Sequence, residues 1–138
     1  MGPAGAPNPD AADSAALGGI PASGYVQSGC NGTGDVKGFA YIPASPSFSS
    51  TYINVNGSNC AGQDIQAKRI AAGLYEVQFL GSPVTLAVGN VVLPQNNTTA
   101  PFVASVNIEQ VGPGDFKIVT WAEQDNASED IPFDLVTP

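Results

Sequence analysis

The sequence has no histidine, a single tryptophan, a single methionine, two cysteines, and only four lysines and arginines in 138 residues. Each shortage removes a class of function. Without histidine there is no Ser–His–Asp or Cys–His nucleophile and no imidazole-built metal site. Four basic residues stand against twelve acidic ones, a net charge of −8, so the clustered cationic surface that nucleic acid requires is missing and no nucleic-acid partner is expected. No stretch approaches the ~20 consecutive apolar residues of a membrane-spanning helix, so no membrane insertion is expected. Charged residues make up only 12 % of the chain, and Gly, Ser, Thr, Asn and Pro carry much of the polarity. Neutral polar surfaces of this kind are common in secreted β proteins. The expected location is extracellular or at the cell surface, and neither catalysis nor a cofactor is expected.

What is present begins with two Gly-X-Y triplets, Gly2-Pro3-Ala4 and Gly5-Ala6-Pro7, which stop at Asn8-Pro9-Asp10. Collagen needs glycine at every third position because only glycine fits at the crowded axis of three strands. Two triplets cannot hold a triple helix, so residues 1–9 read as the stub of a longer collagen-like stalk. The competing reading is a flexible linker joined to a vector-derived Met-Gly-Pro-Ala-Gly. Residues 10–28 read as a junction with short helical turns. Asp13 can cap one turn over Ser14–Leu17, Gly18 and Gly19 end it, and Pro21 suits the start of another. So short a helix is marginal in water and needs a surface to lie on. Leu17, Ile20, Tyr25 and Val26 are the apolar side chains that could pack, on this chain or around a threefold axis.

The junction also resembles a motif of bacterial collagen-like surface proteins and phage-fibre-like proteins, on the residues Ala12-Asp13, Leu17-Gly18-Gly19, Pro21-Ala22 and Tyr25-Val26. In those proteins the motif sits where a fibrous stalk passes into a globular head. The resemblance covers about fifteen residues rich in small side chains. It implies a trimeric head following the stalk.

Residues 29–138 read as that head, and as all-β. Strands are expected at Val36–Ile42, Thr51–Val55, Gly73–Leu80, Val84–Leu93, Phe102–Glu109, Phe116–Trp121 and Pro132–Val136. The clearest is Gly73–Leu80, where Tyr75, Val77 and Phe79 alternate with Glu76 and Gln78, the pattern of a half-buried strand. Gly89-Asn90 reads as a turn or bulge within its segment, and Asn56-Gly57 and Gly112-Pro113-Gly114 as turns. Only Ile65–Ala72 could be helical. Seven strands divided by turn signals imply an antiparallel β-sandwich or a jelly-roll-like head. Cys30 and Cys60 suggest one disulfide, since they lack the short spacing of a redox pair or half a metal site; two free buried thiols are the alternative. Closing this thirty-residue loop would stabilise the head by roughly 3 kcal/mol.

The head resembles, more loosely, the C-terminal domains of actinobacterial surface and collagen-like proteins. The residues that carry this are Lys68-Arg69-Ile70, then Gly73-Leu74-Tyr75-Glu76-Val77-Gln78-Phe79, then Phe116-Lys117-Ile118-Val119-Thr120, and finally Asp130-Ile131-Pro132-Phe133. The resemblance spans most of residues 36–138, although strand alternation alone can imitate part of it.

Two constellations could carry binding. Glu123, Asp125, Glu129, Asp130 and Asp134 form the densest acidic run. Asp125, Asn126, Glu129 and Asp130 offer the carboxylate and amide oxygens a Ca²⁺ ion takes, but not at EF-hand spacing, and a solvated loop is the favoured reading. Trp121 and Tyr52 could stack on a sugar face, as could Tyr41 and Tyr75, and Asn96 and Asn97 belong to a polar loop that could take part. Asn31, Asn56, Asn96, Asn97 and Asn126 each open an Asn-X-Ser/Thr triplet, and are read as turn residues rather than glycan sites. The functional expectation is a homotrimeric head that nucleates assembly of a collagen-like or fibre-like protein and presents a surface to a glycan or matrix protein. The alternative is a monomeric carbohydrate-binding β-sandwich.

Overall fold

The computed structural model describes residues 16–17, 20–21, 29–32, 36–92 and 103–138. The described residues are all-β, with no helix, in antiparallel sheets. The Gly-X-Y stub, Tyr25, Val26, Asn96 and Asn97 lie outside them.

In the junction, β1 (Ala16–Leu17) and β2 (Ile20–Pro21) pair antiparallel, with Leu17 opposite Ile20 and Ala16 opposite Pro21. This corrects the helical expectation for these four residues. Gly18-Gly19 sits between them in sequence, and a two-residue glycine pair is a hairpin connection as readily as a helix stop.

A small sheet of four strands is built from β3 (Gly38–Ile42), β5 (Gly57–Asn59), β8 (Val88–Val91) and β12 (Phe133–Thr137), in the order β5-β3-β12-β8. A larger sheet holds β4 (Ile53–Asn54), β6 (Ile65–Ala71), β7 (Leu74–Phe79), β9 (Ala104–Gly112), β10 (Asp115–Ala122) and β11 (Ala127–Ser128). Its path runs β11-β10-β7-β6-β4, and β9 pairs along the other side of β10. The period-2 pattern of each strand decides which side chains meet between the sheets. Ala40, Ile42, Phe133 and Leu135 of the small sheet are buried with Ile65, Ala67, Tyr75, Val77, Phe79, Phe116 and Ile118 of the large one. Tyr75 meets Phe133 edge-on at 5.7 Å and Phe48 at 5.4 Å, and Phe79 meets Phe116 at 6.3 Å.

Three local expectations change. Ile65–Ala71 is a strand rather than a helix. Its helix-forming Gln, Ala, Lys and Arg are overridden by the ladder to β7, which puts Ile65 and Ala67 into the core, and by Gly73, which turns the chain straight back. Gly89-Asn90 is not a turn but lies inside β8, opposite Leu135 and Asp134. Glycine is required there because β9 comes close: a Cβ at Gly89 would stand 2.7 Å from Val106 Cγ1. Asn56-Gly57 does not close a hairpin. It carries the chain from β4 in the large sheet to β5 in the small one.

Candidate functional site

Among the described residues, three surfaces and clusters carry polar or exposed chemistry. The first lies at the end of the core. Asp130, whose side chain is 7 % exposed, accepts both arms of the Arg69 guanidinium, at 3.0 Å from Nε and 2.9 Å from Nη2. It also accepts the Gly73 amide at 3.0 Å and the Tyr75 hydroxyl at 2.7 Å. Burial pushes the Asp130 carboxyl up, but Arg69, the Gly73 amide and the Tyr75 hydroxyl outweigh it and hold the pKa below the usual carboxylate value. Burial and then Asp130 raise the Tyr75 hydroxyl far above its ordinary pKa, so it stays a donor. Gly73 has φ +69, and a Cβ there would fall 2.6 Å from the Glu129 amide nitrogen. The site therefore demands glycine at that turn. Every group in this cluster satisfies another. It is a clasp joining the β6–β7 turn to the segment before β12, and it leaves no open coordination or reacting position.

The second surface is the outer face of the large sheet. Register places Glu109, Lys117, Glu76 and Lys68 in one row across β9, β10, β7 and β6, with charges alternating in sign. Tyr52 closes the row: Lys68 Nζ sits 4.6 Å over its ring, and its hydroxyl bonds Glu76. Burial and then the Glu76 contact raise the Tyr52 pKa well above normal. In the adjacent row, Gln78 Nε2 donates to Asp115 Oδ2 at 3.2 Å. Asp115 Oδ1 is buried without a donor beside the Glu76 carboxyl, and burial followed by that contact pushes the Asp115 pKa up to about 6. Burial raises Glu76 as well, but hydrogen bonds from Asp115 and Tyr52, with the charges of Lys68 and Lys117, bring it below its usual value. Below about pH 6 the Asp115 proton lies where it can bridge the two carboxyls. Farther along, Leu74, Asn107, Ile108 and Val119 line a shallow depression of about 160 Å³.

The third surface is the outer face of the small sheet. Val136 stands directly opposite Phe39 on one side and Val88 on the other, so three apolar side chains form a row across β3, β12 and β8. Phe39 is 39 % exposed and Val88 52 %. Leu86, two residues before Val88, and Val36, three before Phe39, are both 61 % exposed. The row lies beside the pole that holds Cys30 and Lys37. There Cys30 is bonded to Cys60, with Cα atoms 5.0 Å apart, as the sequence suggested. Lys37 donates its amide to the Thr137 carbonyl and accepts the Cys60 amide at its own. Cys30, Lys37, Val84, Leu86 and Pro138 surround a depression of about 230 Å³ at this pole.

The residues singled out from sequence are distributed unevenly over these surfaces. Tyr52 and Trp121 both belong to the outer face of the large sheet, on β10 for Trp121 and against Lys68 and Glu76 for Tyr52. One face of the Tyr52 ring is already taken by Lys68. Tyr75 is fully buried and offers no platform. The four Ca²⁺ candidates do not converge. Asp130 turns to Arg69 and Tyr75, while Glu129 meets Asp125, a contact that raises the Glu129 pKa. Asn126 takes a left-handed turn at φ 48 between β10 and β11. Among the described residues no three Cys, Asp or Glu side chains are grouped to hold a metal ion. Sequence reasoning missed the Asp130 clasp and the apolar row. The row had a legible signal, Phe39 and Val136 being the apolar residues out of phase with the buried Ala40 and Leu135. Compared with protein-family models, with curated proteins and with solved structures, the chain matches none of them.

Proposed function

We propose that this chain is the globular head of a collagen-like, fibre-forming extracellular protein, and that it works as a homotrimer that holds three chains together at the end of the stalk. The observation that carries this reading is the anchoring of the chain where it joins the head. Cys30 is covalently tied to Cys60, and the segment between Cys30 and β3 is held to both Thr137 and Cys60. A pull arriving through residues 1–28 therefore reaches the body of the head instead of peeling β3 away. The triplets at Gly2 and Gly5 supply the reason for three copies, because a Gly-X-Y strand is stable only in a bundle of three. Bringing separate chains together costs translational and rotational freedom, and a self-associating head replaces that cost by a high local concentration. The disulfide also suits a compartment outside the reducing cytosol. Static light scattering on the whole chain over a concentration series tests the reading. A trimer mass is expected, and a monodisperse monomer at the highest attainable concentration overturns it.

A second reading, surface adhesion through a glycan, is favoured by Tyr52 and Trp121 sharing the outer face of the large sheet with a field of Lys, Glu, Asn and Gln side chains. Each site would be weak, since few desolvated aromatic anchors are on offer, and three copies would make the contact firm. A glycan array read with the trimer and with a monomeric variant separates the cases: a signal confined to the trimer is expected, and silence from both removes adhesion from the proposal.

A further inference from the structure

We infer that three copies of this chain meet through the outer face of the small sheet, with Phe39, Val136 and Val88 at the contact and Leu86 at its margin. The inference rests on the trimer reading above and adds the surface that makes it.

Three observations converge on this face. It carries an unbroken apolar row over three strands, with Phe39 and Val88 substantially exposed in the single chain. Contiguous exposed apolar surface of this kind marks association sites. The row also lies beside the pole that holds Cys30 and Lys37. Gly38, where β3 begins, pairs with Thr137 in the final strand, and Phe39 and Val136 are the next pair inward. Cys30, bonded to Cys60, stands at this pole, and the collagen-like triplets lie on its N-terminal side in sequence. Finally, the face carries one charged side chain within its paired strands, with Lys37 just ahead of β3 at the edge beside Leu86. Asp134 stands beside Tyr41 and Asn90 and accepts a hydrogen bond from the Asn90 amide at 3.3 Å. That partner reduces the desolvation a contact would impose.

Size decides how the contact acts. Five-residue strands span ~17 Å and four strands ~19 Å, so the face offers roughly 320 Å² in projection. A specific stable interface takes about 800 Å² from each partner. The face alone is too small to hold free heads together at low concentration. It suffices when the chain ahead of Gly29 keeps three heads close, because the second and third contacts are then intramolecular. The head and the stalk-side segment are therefore interdependent. Weakening the face should shift the whole chain from trimer to monomer without unfolding it.

The test uses the whole chain carrying Phe39→Glu or Val88→Glu, with Val111→Glu as control. Val111 is 44 % exposed on β9 of the other sheet and lies off the proposed contact. Thermal melting and circular dichroism establish that each variant is folded, and two independent substitutions guard against either one failing to fold. Light scattering over a concentration series is the readout. The expected result is that Phe39→Glu and Val88→Glu raise the concentration needed for half-trimerisation at least tenfold, while Val111→Glu leaves it unchanged. If the parent chain is a trimer and neither Glu variant moves the midpoint, the assigned face is wrong although the trimer reading stands. If the parent chain is a monomer throughout, the trimer reading fails and takes this inference with it.

Discussion

Replacing Asp130 probes the clasp that joins the β6–β7 turn to the last strand. Its carboxylate is 7 % exposed and collects the Arg69 fork, the Gly73 amide and the Tyr75 hydroxyl. A hydrogen bond to a charged group contributes roughly 1.5–3 kcal/mol. In Asp130→Asn, the oxygen facing Gly73 and Tyr75 survives without its charge, while the other becomes an NH₂ opposed to Arg69 Nη2, donor against donor. Arg69 retains access to water and can retreat, so the expected loss is about 2–3 kcal/mol. Asp130→Ala also strands the Gly73 amide, while the Tyr75 hydroxyl falls back on the Ser45 carbonyl at 3.2 Å. The expected loss is then about 3–5 kcal/mol. At about 4 °C per kcal/mol for a domain of this size, Asp130→Asn lowers Tm by about 10 °C.

The pH dependence supplies the sharper half of the prediction. The folded pKa of Asp130 lies below its ordinary value, so its contribution is fully present above the unfolded pKa and is lost as pH falls through the folded one. The gap between parent and Asp130→Asn should be wide at pH 7 and close in strong acid. Tyr75→Phe should cost about 1–2 kcal/mol in the parent chain and clearly less in Asp130→Ala, where the hydroxyl keeps only the Ser45 carbonyl. Urea unfolding followed by Trp121 fluorescence from pH 2 to 8 reads all of this. An Asp130→Asn gap that does not change with pH, or additive losses for Tyr75 and Asp130, would refute the clasp.

Other perturbations test other parts of the molecule. Asp115 has a folded pKa of about 6, above its ordinary value, so its contribution is complete below the unfolded pKa and is lost as pH rises toward and through 6. Asp115→Asn keeps a donor for Glu76 and removes the repulsion; after solvent screening it should stabilise by about 1 kcal/mol at pH 7.5 and not at pH 4, measured by urea midpoints. Gly73→Ala forces a Cβ into φ +69 and against the Glu129 backbone, and should cost more than about 1 kcal/mol in the same assay. Replacing both Cys30 and Cys60 by serine should cost about 3 kcal/mol and leave the parent chain, but not the variant, sensitive to reductant in a thermal melt.

The all-β class was legible because the strands that form the core alternate strictly. Tyr75, Val77 and Phe79 in β7, and Phe133 and Leu135 in β12, are buried as their period-2 pattern requires. The strand at Ile65–Ala71 was not legible, because its residues favour a helix and only the partner strand decides otherwise. Gly89 looked like a turn because glycine is flexible, yet it is there because it is small: β9 leaves no room for a Cβ. The Gly89 misreading arises from a contact distant in sequence, which local pattern does not encode. The clasp was hidden for the same reason. Arg69, Gly73, Tyr75 and Asp130 are spread over sixty-one positions, and the acidic run around Asp130 suggests a solvated loop or a cation site until Arg69 is seen to occupy it.

The placement of the four basic residues bears on which surface can associate. Arg69 is committed to Asp130, and Lys37 lies at the pole beside the disulfide. Lys68 and Lys117 both stand on the outer face of the large sheet, each opposite Glu76 in the ladder. That face already holds its charges in a compensated row, at strand spacings that water can still reach. Pressing it against a second copy would strip water from Glu109, Lys117, Glu76, Lys68 and Asp115 together, and the desolvation of charges so exposed can exceed what their pairing returns. The outer face of the small sheet presents fewer charges, with three apolar side chains in register, one carboxylate that has an amide partner, and Lys37 at its edge. The two sheets share one core, and the large one's outer face carries a charged row beside the apolar Leu74, Val119 and Trp121. The large sheet's face gains most by remaining wet, where a polar ligand could compete for it. The small sheet's face loses least by being covered, and its apolar row lies beside the pole that holds the Cys30–Cys60 bond.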